Sequence, residues 1–225
     1  MINFSSVFPW RALIFGACAS LFLLGCSVPS LDLSELVGPP PPQQIYLLQP
    51  TLQAPLQGPP LPWQLSITIP DAPASIDTVR IALNPTPSTL DYYADASWPD
   101  RAPVLVQSYL IEAFEFGDRV AVARDTDGLM ADYMLQTELR EFQARYTGRT
   151  EPLTDQPVTP PEISVRLDAR LVAVLERRVV ESVSVVQRAS ARTNDLDGIV
   201  AAFDDALSAA LAEIVNWTYA AAPET

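Results

Sequence analysis

The chain has 225 residues and a formal net charge of −13, with 14 basic residues, all of them Arg, against 27 acidic ones. This balance argues against the clustered basic surface that nucleic-acid backbones and polybasic membrane anchors require. The sequence contains no His and no Lys, which excludes His-dependent catalytic triads and the Lys of a phosphate-binding P-loop.

The N-terminus has the features of a secretion signal. Arg11 precedes an uncharged apolar run from Ala12 to Leu24, which fits the apolar region of a signal peptide, about 7–15 residues. It is short for a membrane span, which needs about 20 residues. The sequence Leu23-Leu24-Gly25-Cys26 resembles the bacterial lipobox, which implies diacylglyceryl transfer to the Cys26 sulfur, cleavage before Cys26 and acylation of the new N-terminus. An ordinary signal peptide and an N-terminal membrane helix are the alternatives.

These features predict a three-part chain. Residues 1–25 form the lipoprotein signal peptide, residues 26–42 the lipidated Cys and a Pro-rich tether, and residues 43–225 a folded domain. The tether ends in four consecutive prolines, which favour extended polyproline II, so its sixteen residues after Cys26 span roughly 50 Å at about 3.1 Å each. Since Cys18 would be lost with the signal, the mature chain can form no intrachain disulfide. Ser27, rather than Asp, follows Cys26, which resembles the sorting signal for the outer membrane.

The first half of the domain reads as short strands followed by a helix. The segment "QIYLLQP" predicts a strand stopped by Pro50. The segment "WQLSITIP" predicts a half-buried strand, with Leu65, Ile67 and Ile69 inward and Ser66 outward. Further strands are predicted at 78–83 and 88–94. A helix is predicted at about 101–116, capped by Asp100, with Pro103 in its first turn and Gly117 as its stop. Its apolar face comprises Val104, Leu105, Ser108, Ile111 and Phe114.

The second half predicts longer strands and a closing helix. Strands are expected at 119–124 and 131–146, with Tyr133, Leu135, Thr137 and Leu139 on one face of the second and Phe142 on the other. A long hairpin follows at 162–190, turning at Glu176-Arg177-Arg178, with alternate residues from Ile163 to Leu175 inward. The helix after Asp197 has its apolar face at Ile199, Phe203, Leu207, Ala210, Leu211, Ile214 and Trp217. The prediction is an α+β fold: a largely antiparallel β-sheet with two amphipathic helices packed on one face.

Candidate chemical sites are few. Asp125 and Asp127 precede Gly128, as in a calcium loop, but Gln136 stands where the acidic twelfth residue belongs, so a simple turn is predicted. Asp204 and Asp205 are predicted to be solvated, and Arg177 and Arg178 to be exposed at the hairpin end. Trp63, Trp98 and Trp217 are predicted to pack in or beside the core. We therefore predict no catalytic residues, no metal and no cofactor.

The order of these features resembles the ABC-type transport auxiliary lipoproteins. A lipobox is followed by "IYLLQP", "VRIAL", "LDYYADASWPDRAPVLVQSYLIEAFE", "DYMLQTELREFQARY", the "EISVRLDARLV" hairpin and a C-terminal helix. The resemblance implies a non-enzymatic lipoprotein on the periplasmic face of the outer membrane of a Gram-negative bacterium. It would dock an ABC transporter and an MCE-domain protein that move phospholipid or other hydrophobic molecules between membranes. The one residue that transfers from the family is Cys26.

Two alternative functions follow from the residues. A periplasmic lipid-binding carrier would hold acyl chains between sheet and helices, in an apolar cavity of at least about 300 Å³. An enzyme would need carboxylates converging in a cleft with displaced pKa values. A ring-like homo-oligomer is compatible with a docking part, and nucleic acid is not an expected partner.

Overall fold

The computed structural model describes residues 43–53, 58–147 and 159–222. Cys26, the signal segment and the tether lie outside these residues, so the predictions for them stay predictions. The described residues form eight strands and two α-helices: β1 (Gln44–Ile45), β2 (Gln64–Ile67), β3 (Arg80–Asn84), β4 (Asp91–Ser97), α1 (Ala102–Gly117), β5 (Ala121–Arg124), β6 (Tyr133–Arg145), β7 (Glu162–Ala173), β8 (Arg178–Ser190) and α2 (Leu196–Ala221).

The strands form one mixed sheet built around β6. Strand β7 pairs with the whole length of β6 on one side and with β8 on its other side, both antiparallel. The second side of β6 is shared by two short parallel strands, β2 at its beginning and β3 at its end. Parallel β5 extends β2, while antiparallel β4 and then parallel β1 extend β3. The predicted α+β class is confirmed; the long ladders are antiparallel and four short ones are parallel.

A β-bulge in β6 changes which residues face the helices. Tyr133, Leu135 and Leu139 are buried as predicted, but the register with β7 shifts between Leu139 and Glu141. Because the extra residue reverses the alternation, Phe142 is buried on the same face as Leu139. The prediction that placed Phe142 on the opposite face is wrong for this reason.

Helix α1 has the predicted extent and a different buried face. Ile111 and Phe114 are buried as expected, whereas Val104, Leu105 and Ser108 are only partly buried. The buried places are taken by Val106 and Leu110, together with Gln107, whose amide donates a 2.9 Å hydrogen bond to the carbonyl of Ile67 at the end of β2. Apolar residues nearly surround this helix, so spacing alone did not fix its orientation.

For the ends of α1, the predicted N-terminal cap is wrong and the predicted C-terminal end is confirmed. The residue that caps its N-terminus is Arg101, without a side-chain hydrogen bond, rather than Asp100; the Asp100 carboxylate accepts a bond from the Arg101 amide instead. The helix ends at Gly117, as predicted, and Asp118 follows in the left-handed conformation.

Three more predicted orientations are wrong. Ser66 is buried rather than outward: β2 is an inner strand between β5 and β6, and the small Ser66 side chain is only 4% exposed there. Ile69 is exposed, since it lies beyond the end of β2. Leu175 points into solvent because the hairpin turn begins at Val174, before the predicted turn at Glu176.

Aromatic rings fill the space between sheet and helices. Trp98, Phe142 and Phe203, from the end of β4, from β6 and from α2, lie with ring centroids 5.0 to 5.9 Å apart and are fully buried. Edge-on and tilted contacts of this kind add to the free energy gained by burying the rings. The predicted inner face of α2 is confirmed, with Trp217 partly buried beside the core.

Candidate functional site

The predicted turn at Asp125 to Gly128 is present. Asp125–Asp127 form one turn of 3₁₀-helix, and an Asp127 carboxylate oxygen accepts a 3.1 Å hydrogen bond from the Arg124 amide. Gly128 follows with φ of 76°, in the left-handed region that Gly adopts without strain. Within the part of the chain that the structure describes, no three His, Cys, Asp or Glu side chains are grouped so that they could hold a metal ion.

The segment Gln43–Gln49, here called the strap, runs from β1 onto the two helices. The Tyr46 amide donates to the Ser97 carbonyl at 2.8 Å, which continues the pairing of β1 with β4. Leu48 is buried, and its carbonyl accepts a hydrogen bond from the Tyr109 hydroxyl of α1 at 2.5 Å. The Gln49 amide donates to an Asp204 carboxylate oxygen of α2 at 2.6 Å. The strap therefore connects the first described residues to both helices.

Asp204 is half-buried under the strap, which differs from the solvated position predicted for it. Burial raises the pKa of its carboxyl from 3.8 to about 6; the hydrogen bond from Gln49 lowers it, and the neighbouring charge of Asp205 raises it again. Asp205 is exposed, as predicted. A single titratable carboxylate paired with a backbone amide has the chemistry of a structural contact rather than of an acid–base pair.

The end groove is an open depression of about 560 Å³ at the end of the sheet where β6 begins and β7 ends. Two of its side chains are apolar and almost fully exposed: Met130 at 93% and Leu175 at 90%. The groove is lined by Pro62, Trp63, Ser66, Asp125, Leu129, Met130, Ala131, Asp132, Tyr133, Met134, Val174, Leu175 and Glu176.

Packing against the core fixes the floor of the end groove. Trp63 meets Tyr133 edge-on at 5.4 Å and lies 6.4 Å from Tyr219 near the end of α2. Burial raises the pKa of the Tyr133 hydroxyl, and the charges of Glu176 and Asp132 raise it further, while Arg178 opposes them. An Asp132 carboxylate oxygen also accepts a 2.8 Å bond from the Gln64 amide, which joins the groove loop to β2.

The sheet face opposite the helices carries paired charges. Arg140 contacts Glu138 at 2.8 Å and Asp168 at 2.9 Å. Burial acts to raise the pKa of Asp168, but hydrogen bonds from Ser184 and Arg140 and the charge of Arg166 outweigh it, and the pKa lies below 3.8. A smaller groove of about 250 Å³ lies beside these pairs. Acidic groups held ionised by Arg suit a solvated surface and do not supply a general acid at neutral pH.

Other predicted site residues lie where the sequence placed them. Trp63 and Trp98 are buried, while Arg177 and Arg178 are exposed at the hairpin end. Sequence reasoning missed Met130 and Leu175 as surface features. Met130 carried a signal, since it is an apolar residue two positions after the turn glycine Gly128. Leu175 did not, because it continued the alternation of β7. Neither described helix is long and apolar enough to cross a membrane.

Comparison with known proteins identifies the family. An uncharacterized protein of Bradyrhizobium diazoefficiens is 31% identical over 159 residues, which are 68% of this chain and 39% of that protein, so the chain matches about two fifths of its length. A crystal structure of a Xanthomonas campestris protein of the DUF330 family superposes with a TM-score of 0.71 at 29% identity, covering 79% of this chain and 95% of that one.

A second crystal structure, of an uncharacterized protein, gives a TM-score of 0.61 at 12% identity over 79% of this chain and 99% of that one, a likeness of fold. The family model described as the ABC-type transport auxiliary lipoprotein component matches residues 46–215. That description is of an auxiliary part of a transport system rather than of a catalyst. The chain therefore belongs to the ABC-type transport auxiliary lipoprotein family.

Proposed function

We propose that this chain is an outer-membrane lipoprotein that docks an ABC transporter–MCE system for phospholipid or other hydrophobic molecules. It is anchored through Cys26 on the periplasmic face and takes no part in chemistry. The observation that carries the proposal is the family match across residues 46–215. An auxiliary component acts through its contacts with the other components, and the end groove offers exposed apolar groups of the kind that mark interaction sites.

The packing of the domain favours docking over carriage of lipid. A carrier needs an apolar cavity between sheet and helices that is large enough for acyl chains. The rings of Trp98, Phe142 and Phe203 occupy that layer in direct contact. A lipid placed there would have to displace side chains whose burial stabilises the fold.

Direct binding tests the proposal. The full lipoprotein is purified in detergent micelles and immobilised, and the periplasmic domain of an MCE protein encoded beside an ABC transporter in the same genome is passed over it. We expect saturable binding with a Kd of about 10 μM or tighter, that is, at least about 7 kcal/mol of binding free energy. The absence of saturable binding to the MCE domain and to the periplasmic parts of the transporter would refute docking. Mass spectrometry that finds one lipid held per domain would support the carrier instead.

A further inference from the structure

The end groove lies far from the point where the tether joins the domain. The strap lies at the beginning of α2, where the charges of Asp195 and Asp197 act on Tyr46. The groove lies at the end of α2, where Trp63 contacts Tyr219. Tyr219 lies 22 positions after Asp197 in α2, a separation of about 33 Å at about 1.5 Å per helical residue.

Met130 and Leu175 stand out from loops that are otherwise fixed. Leu175 lies in the turn of the β7–β8 hairpin, beside the end of a twelve-residue strand. Met130 follows the 3₁₀ turn, and two residues later Asp132 is bonded to the Gln64 amide. The backbone that carries the two side chains therefore needs little ordering when a partner covers them, which favours binding. Thioethers also adapt well to the shape of an apolar partner.

Among the residues that the structure describes, the charged side chains that line the end groove are all acidic. They are Asp125, Asp132 and Glu176, and no described Arg belongs to the lining. Arg124 is nearby in sequence, but its guanidinium donates to the Ser108 hydroxyl of α1. Arg178, at the start of β8, is not part of the lining. Arg178 is near enough for its charge to act on Tyr133, but the three lining carboxylates outnumber it, so a partner that brings positive charge to the rim is favoured.

We propose that the end groove binds a segment of a partner protein in which an apolar side chain is flanked by Arg or Lys. The inference rests on the proposed function, because it takes the partner to be a component of the transport system. An anionic membrane surface fits poorly, since the three carboxylates repel it. A second copy of the chain bound through the same groove about a two-fold axis would place like charges against each other.

Matched Leu substitutions test the site. Leu175→Glu puts a charge in the end groove. Leu90→Glu makes the same change in the turn before β4, where the side chain is 41% exposed. That turn lies beside Asn84, which pairs with the last residue of β6, whereas the groove lies at its first residue. Both variants should fold, because both side chains belong to the exposed residues and lie outside the core.

The first measurement is the affinity of these full-length lipoproteins for the MCE domain. We expect Leu175→Glu to weaken binding at least about tenfold, as for a central apolar contact, and Leu90→Glu to leave it within about twofold. Glu176→Arg should also weaken binding, and added salt should weaken binding to the wild type. If the wild type binds and the Leu175 and Leu90 variants bind equally well, docking stands and the groove assignment is wrong.

A second measurement identifies what contacts the end groove in cells, even if the MCE domain does not bind at all. The photo-crosslinker p-benzoylphenylalanine replaces Leu175 in intact cells, and the cross-linked peptide is mapped by mass spectrometry. We expect an adduct with an apolar segment flanked by Arg or Lys in another protein, lost in the Glu176→Arg background. An adduct only with lipid, only with a second copy of this chain or with an acidic segment, or no adduct, would overturn the proposal.

Discussion

Asp204→Asn removes the one described carboxylate whose pKa burial raises to about 6. The amide of Asn keeps an oxygen that can accept the 2.6 Å bond from the Gln49 backbone, so the strap contact survives while the charge is lost. In the wild type the folded-state pKa lies above the unfolded value. The stability that protonated Asp204 contributes is therefore fully present below about pH 4, and it is lost as the pH rises through about 6.

The size of the effect follows from the shift. A pKa raised from 3.8 to about 6 corresponds to a ceiling of about 3 kcal/mol at 1.36 kcal/mol per unit. Because Asp204 is only half-buried, solvent screening reduces this to about 1 kcal/mol. The variant should therefore be about 1 kcal/mol more stable than the wild type at pH 8, and the difference should shrink towards zero near pH 4.

Urea unfolding followed by circular dichroism from pH 4 to pH 8 measures this difference. Asp205→Asn is the matched control: it makes the same substitution at the next, exposed position of α2, and it should keep most of the wild-type dependence on pH. Unfolding free energies of the wild type and Asp204→Asn that stay parallel across the whole range would refute the reasoning.

Two further predictions concern the core and the anchor. Phe203→Ala opens a cavity beside Trp98 and Phe142 and should lower the free energy of unfolding by about 3–5 kcal/mol; Phe116→Ala, at a 55% exposed site on α1, should cost less than about 1 kcal/mol, and equal losses in urea titrations would contradict the packing argument. Cys26→Ala should abolish labelling by radioactive palmitate and leave an uncleaved precursor at the inner membrane, whereas normal labelling would overturn the lipobox interpretation.

Local pattern predicted the elements well wherever one face is buried and the other is solvated. The alternation of β7 from Ile163 to Ala173 and the spacing from Ile199 to Ile214 in α2 both appear in the structure as buried faces. The predicted orientation of Phe142 was wrong because one extra residue in β6 reverses the orientation of every later side chain. No residue type marks such a bulge in the sequence. The predicted outward position of Ser66 was wrong because its burial depends on which strands flank β2. That pairing is not visible in the local sequence.

The candidate site was less predictable for the same reason. Met130, Leu175 and Glu176 are distant in sequence from Trp63, and only the pairing of β2 with β6 and of β6 with β7 brings them together. Asp204 was predicted to be solvated because it lies on the polar side of its helix. Its burial comes from the strap, which lies 155 residues earlier in the chain. The lipidation of Cys26, in contrast, is inferred from local spacing alone, and it stays a prediction.

The strap determines where a mechanical pull on the N-terminus would act. Tension applied at Gln43 reaches β1 first, where only two residue pairs join it to β4. It then reaches Tyr109 and Asp204, whose hydrogen bonds hold Leu48 and Gln49. The force therefore passes into the two helices, while the long β6–β7–β8 ladders lie outside its path. Peeling of the strap would absorb the first extension and leave the end groove at the far end of α2 undistorted.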